Sequence, residues 1–164
     1  MKVILTPIDF SDISQRVIES AATLARALDG HIILLNVVQP PPAIGAADIA
    51  FDDLADLTAI AEKEADSQLV DLQKGLAGKS ISAEVLRLNG APAAEIVNKA
   101  KELLADYIVI GSHGHTAVYE LLIGSTARNV LKRSPCPVLV VPPAKGNALE
   151  RSVAKSEPTT LARP

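Results

Sequence analysis

KVILTPIDFSDISQRVIESAATLARALDGHIILLNVV, residues 2–38, reads as a strand, a helix and a second strand in one unbroken run. Residues 2–8 form a continuous apolar run bounded by Pro7 and Asp9, and residues 31–38 form another. Apolar residues at successive rather than alternate positions mark strands covered on both faces. Between them, Ile13, Val17, Ala21, Leu24, Ala25 and Leu28 share one face of a helix over 12–28. Ser11 suits its N-cap, Asp12 its first turn, and Gly30 its stop.

The alternation continues. Residues 39–53, QPPPAIGAADIAFDD, read as a long loop, because three successive prolines fit neither a helix interior nor a central strand. Leu54, Leu57, Ala61, Ala65, Leu72 and Leu76 set a helix over 54–76, closed by Gly75 and Gly78. The mixed polarity of 81–88 suits a strand near a sheet edge. Gly90-Ala91-Pro92 opens a helix over 92–104, where proline's missing N–H does no harm. A fourth strand at 107–110, a loop over 111–124, a short helix over about 125–134 and a fifth strand at 138–141 complete the series. The predicted fold class is α/β, a single doubly wound five-stranded parallel sheet of order 3-2-1-4-5 with helices on both faces. Strands 1 and 4 flank the reversal of strand order, where ligands bind beyond the C-terminal strand ends. The domain is expected over 1–142, with 143–164 a mobile polar tail.

Composition narrows the function. The chain has 164 residues, 48% of them hydrophobic and 21% charged, so disorder is excluded. A net charge of −3 leaves no footprint for nucleic acid or an anionic membrane. The single cysteine, Cys136, rules out an intrachain disulfide and reads as a small core residue. His31, His113 and His115 lack further ligands at metal spacing. No apolar run approaches the ~20 residues of a membrane span, and the opening does not read as a signal peptide, so the cytoplasm is the expected location.

The chemistry gathers at the reversal point. The first strand ends in Pro7-Ile8-Asp9, and the fourth in Gly111-Ser112-His113-Gly114. Nine residues later comes Gly124-Ser125-Thr126, at a helix start, giving the pattern G-x2-G-x9-G-S-T. Glycines let backbone N–H groups approach an anion, and a helix N-terminus adds unpaired donors and partial positive charge. Ser125 and Thr126 add hydroxyls. The pattern reads as a phosphate cradle, opposite an Asp9 able to accept from a ribose hydroxyl or a base. The bland readings are a tight strand-to-helix connection for the glycines, an N-cap for Ser125 and a helix cap for Asp9.

These residues resemble the ATP-binding signature of the universal stress protein family, and PIDFSD, LLNVV and SPCPVLVVP resemble its other landmarks, over about residues 1–142. The resemblance implies an ATP-binding stress-response or regulatory protein, usually a homodimer. It implies that Pro7 and Asp9 line the adenosine, that Val37 lies against the base, and that Gly111, Gly114, Gly124, Ser125 and Thr126 hold phosphates. Similar loops often carry Lys or Arg after the second glycine. Here that place reads His115-Thr116, and no Lys or Arg lies between Gly111 and Thr126. Triphosphate binding then falls to amides, hydroxyls and a divalent ion, magnesium or manganese. His113 and His115 help when protonated, so affinity is expected to rise as the pH falls from about 8 to about 6.

Strand 138–141 is apolar yet at an edge, which suits antiparallel pairing with a second copy; coverage by the tail is the alternative. A slow ATPase or phosphotransferase, and an interaction module indifferent to nucleotide, are the alternative functions. No Walker lysine is present, and a G-x-G-x-x-G after the first strand is absent, which excludes a dinucleotide oxidoreductase.

Overall fold

A computed structural model describes residues 1–39, 51–113 and 123–143. Its elements are β1 (Lys2–Pro7), α1 (Ser14–Leu28), β2 (Gly30–Val38), α2 (Phe51–Ala77), β3 (Ala83–Asn89), α3 (Pro92–Glu102), β4 (Tyr107–Gly111), α4 (Ser125–Arg133) and β5 (Val138–Val141). The strands form one parallel sheet in the order β3-β2-β1-β4-β5. Ile4 lies beside Ile32 on one side and Tyr107 on the other.

Strand alternation explains the unbroken apolar runs. Ile4, Ile32, Leu34, Val109 and Val141 face α1 and α2, where they meet Val17, Ala21, Leu69 and Leu76. Leu5, Ile33, Leu35, Ile108 and Ile110 face α3 and α4, where they meet Ile96, Val97, Ala100 and Val130. Both faces of the central strands are covered, so successive residues are all buried. Ile4 and Leu5 are fully buried on opposite faces, and truncating either to alanine costs about 2–5 kcal/mol. β3, at the edge, is only partly buried, as its composition predicts.

Several local expectations are corrected. α1 begins at Ser14 with Ile13 at the N-cap, so neither Ser11 nor Asp12 plays its expected part. Residues 9–13 instead turn around the Asp9 carboxylate. Asp29, not Gly30, takes the left-handed conformation that ends α1, at φ 48°. Gly30 is needed for space: a Cβ there would lie 3.0 Å from Ile4 Cδ1 and 3.2 Å from the Lys2 carbonyl oxygen. α2 starts at Phe51, inside the stretch expected to be loop; residues 40–50 of that stretch lie outside the described residues. β3 begins at Ala83 rather than 81, and α3 ends at Glu102. Cys136 is half-buried at the margin of the second core. Nearly all of the expected tail, from 144 onward, lies outside the described residues.

Among the described residues, no helix is long and apolar enough to cross a membrane.

Candidate functional site

The strand order reverses between β1 and β4, and the segments leaving their C-terminal ends part around a cleft of about 240 Å³. One wall comes from the ends of β1 and β2: Pro7, Asp9 and Val37, with Gln39 beyond. The facing wall comes from the end of β4 and the start of α4: Gly111, Ser112, His113, Gly124, Ser125 and Thr126. Eight of the ten residues singled out from the sequence therefore share one cavity. The other two, Gly114 and His115, lie outside the described residues.

Asp9 is held by its own turn. One carboxylate oxygen, Oδ1, accepts from the Ser11 backbone N–H (3.1 Å), the Ser11 hydroxyl and the Ser14 hydroxyl (3.3 Å). Phe10, between them, has φ 60°, a left-handed conformation that costs a non-glycine residue about 1–2 kcal/mol. That turn folds Ser11 back onto Asp9. Below it, the buried Asn36 side chain donates to the Ile8 carbonyl (3.0 Å), and the Ile8 N–H donates to Leu35 (2.9 Å). The Asp9 turn is thus bonded to β2 as well as covalently joined to β1. A second recess of about 300 Å³, with Glu64 and Gln68 of α2 on its wall, shares Asp9, Val37 and Gln39 with the cleft.

On the facing wall, Gly124 is the N-cap of α4 and Ser125 its first helical residue, with no side-chain cap bond. The bland reading of Ser125 as an N-cap is therefore set aside: Ser125 is exposed and lines the cleft. The first bond within the helix runs from Arg128 N–H to the Gly124 carbonyl (3.0 Å). The N–H groups of the preceding turn lack an intrahelical acceptor, as at any helix start, and the helix dipole adds partial positive charge there. Arg128, the nearest arginine in the sequence, turns its guanidinium to the Ile123 carbonyl (3.1 Å) and does not line the cleft.

The two described glycines serve different ends. A Cβ on Gly111 would lie 3.0 Å from Ile13 Cγ2 and 3.1 Å from the His113 carbonyl oxygen, so its smallness is a packing requirement. A Cβ on Gly124 would stand 3.4 Å from the Ser112 carbonyl oxygen and 3.7 Å from His113 Cα, ordinary contact distances. Gly124 φ is −58°, open to any residue. Neither its backbone nor its packing among the described residues demands glycine at 124, which leaves clearance for something else.

Sequence reasoning missed Ser14, Gln39 and Ser112. Ser112 is buried, with its hydroxyl hydrogen-bonded to His113 Nδ1. Its place between Gly111 and His113 was the signal available for it. Ser14 and Gln39 carry no pattern of their own and become visible only once β1 and β2 are side by side.

Comparison with known proteins gives a consistent result. The family model described as the universal stress protein family matches residues 1–142. Universal stress protein MJ0531 of Methanocaldococcus jannaschii is 33% identical over 141 residues, covering 85% of this chain and 81% of that one. Universal stress protein YxiE of Bacillus subtilis is 32% identical, covering 84% and 96%. Among solved structures, MJ0577 of M. jannaschii superposes with a TM-score of 0.76 at 30% identity, covering 88% of this chain and 98% of that one. A universal stress protein in complex with cAMP superposes at 0.59 with 26% identity, covering 85% and 96%.

Proposed function

The chain belongs to the universal stress protein family, and on that footing we propose that it is a stress-response protein that binds an adenine nucleotide, ATP, in the cleft between β1 and β4. The observation that carries the reading is the convergence of Asp9 and Val37 on one wall with Gly124, Ser125 and Thr126 on the other. The Val37 side offers an apolar surface for a base, and Asp9 an acceptor for a ribose hydroxyl. The opposite wall offers helix-start amides and hydroxyls for phosphates, with Gly114 and His115 assigned there by their place in G-x2-G-x9-G-S-T. The clearance at Gly124 fits a phosphate lying close to backbone. The cAMP complex of a relative supports an adenine nucleotide as the ligand class.

The functional unit in this reading is a cytoplasmic homodimer joined through β5. β5 ends the sheet, and Leu139 is 44% exposed on it. Antiparallel pairing of two such edges satisfies their backbone groups and covers that side chain.

The test is direct. Purified protein is unfolded gently and the supernatant read by mass spectrometry, and fresh protein is titrated with magnesium and ATP in a calorimeter. An adenine nucleotide in the supernatant, or saturable heat, supports the reading. No released nucleotide together with no heat at millimolar ligand refutes it. Sedimentation of the full chain at micromolar concentration tests the dimer.

A further inference from the structure

The cleft has a neighbour on its Val37 side. The second recess, of about 300 Å³, shares Asp9, Val37 and Gln39 with it and adds two side chains of α2, Glu64 and Gln68. Ser125 and Thr126 of α4 line the cleft, on the wall facing Val37. A nucleotide with its base on Val37 and its phosphates at α4 therefore turns its base toward the recess. Glu64 and Gln68 are one helical turn apart and share a face of α2. That stretch of helix is fixed in place. Ala65 and Leu69, the residues that follow each of them, are buried. On the neighbouring strand β3, Arg87 donates from Nε to Asp66 at 2.8 Å and pairs with Glu62 at 3.3 Å, and the Asn89 amide donates to Glu62 at 2.7 Å. Polar groups held by packing and ion pairs on both sides are already in position to read a ligand.

Resting on the reading above, we infer that Glu64 and Gln68 are specificity-determining residues that read the amino edge of the base, so that this chain selects adenine over 6-oxo purines. Adenine presents there an exocyclic amino group, a donor. A carboxylate is an acceptor only, and a glutamine amide both accepts and donates, so the pair can take that amino group and the ring nitrogen beside it. A 6-oxo purine, hypoxanthine or guanine, carries a carbonyl oxygen in the same place. Its oxygen meets the Glu64 carboxylate acceptor to acceptor, which loses a hydrogen bond and adds repulsion.

The experiment is calorimetric titration of the full chain with ATP and with inosine triphosphate, which differ only in the base, both in magnesium. Wild type should bind ATP about tenfold or more tightly than inosine triphosphate. Glu64→Ala and Gln68→Ala should each narrow that ratio, and the double variant should bring it to about threefold or less, chiefly by weakening ATP. Both residues are exposed, so neither truncation opens a cavity in the core, and thermal unfolding of the same preparations checks that the variants fold. The ratio is the deciding readout, because a merely structural loss weakens both nucleotides alike. Equal affinity of wild type for the two nucleotides, or a ratio unmoved in the double variant, overturns the inference while leaving nucleotide binding intact. No binding of either nucleotide to wild type overturns instead the nucleotide reading on which it rests.

Discussion

The backbone N–H of Gly124 donates a 2.7 Å hydrogen bond to the carbonyl oxygen of Ser112. The bond closes the connection between β4 and α4 at its two ends, so the start of α4 is held against the C-terminal end of β4. Ser112 is itself held by its N–H, which donates to Val141 of β5 at 2.8 Å. The helix start that faces Asp9 is thereby tied to two strands of the sheet.

Gly124→Ala should separate binding from folding. Among the described residues the added Cβ meets only ordinary contacts. Alanine is a poorer N-cap than glycine, but it loses less chain entropy on folding, so stability should stay within about 1 kcal/mol. Affinity for magnesium-ATP should fall about tenfold or more if phosphate lies against this backbone, a loss of about 1.4 kcal/mol. Thermal unfolding and calorimetry on the same preparation check both halves. Unchanged affinity would return Gly124 to the role of a simple connection.

Gly111→Ala should do the reverse and act first on the fold. Its Cβ would crowd Ile13 Cγ2 and the His113 carbonyl oxygen. Overpacking of this kind costs about 1–3 kcal/mol. Ile13→Ala removes one of the two clashing atoms, so the double variant should lose less than the sum of the single losses. Urea unfolding of the four proteins completes the cycle.

Leu104→Gly should stabilise the protein. α3 ends in a Schellman turn: Leu104 N–H donates to Lys101 and Ala105 N–H to Ala100. Leu104 occupies the left-handed position at φ 48°, where glycine is the usual residue, and its side chain is 83% exposed. Relief of the strain exceeds the extra entropy glycine loses on folding, for a net gain of about 0.5–1 kcal/mol. A lower urea midpoint in the variant would contradict this account.

Asp106→Asn should cost stability in a pH-dependent way. The Asp106 carboxylate accepts from Lys2 Nζ and from the Val3 N–H, both at 2.8 Å, joining β1 to the start of β4. The Lys2 ammonium, followed by the Val3 amide, holds its pKa below the ordinary carboxylate value of 3.8. A group whose folded pKa is lowered stabilises the protein above its unfolded pKa. That contribution drains away as the pH falls from about 3.8 through the folded value. The variant should melt lower than wild type at pH 7, and the difference should shrink as the pH drops below that range. A constant gap from pH 7 to pH 2 would show that the ion pair is not its source.

Element order and sheet order were legible from residue patterns alone. Runs such as 2–8 and 31–38, apolar at consecutive positions, are compatible only with strands covered on both faces, and intervening helices force parallel neighbours. The glycines and helix-start hydroxyls of G-x2-G-x9-G-S-T leave a local trace, and Asp9 stands out at the end of the first strand, whereas Pro7 and Val37 were marked only by the resemblance to the family. Local pattern misjudged where side chains choose among several nearby partners. Ser11 satisfies an N-cap pattern, yet it folds back on Asp9 because Phe10 turns left-handed, and Asp29 rather than Gly30 ends α1 because Gly30 is already the first residue of β2, paired with Lys2. The three-dimensional arrangement was needed to show that Gly111 is small for Ile13 while Gly124 meets no tight contact among the described residues, and that Arg128 turns its guanidinium to the Ile123 carbonyl. Those distinctions depend on three-dimensional distances, which periodicity and residue type do not encode.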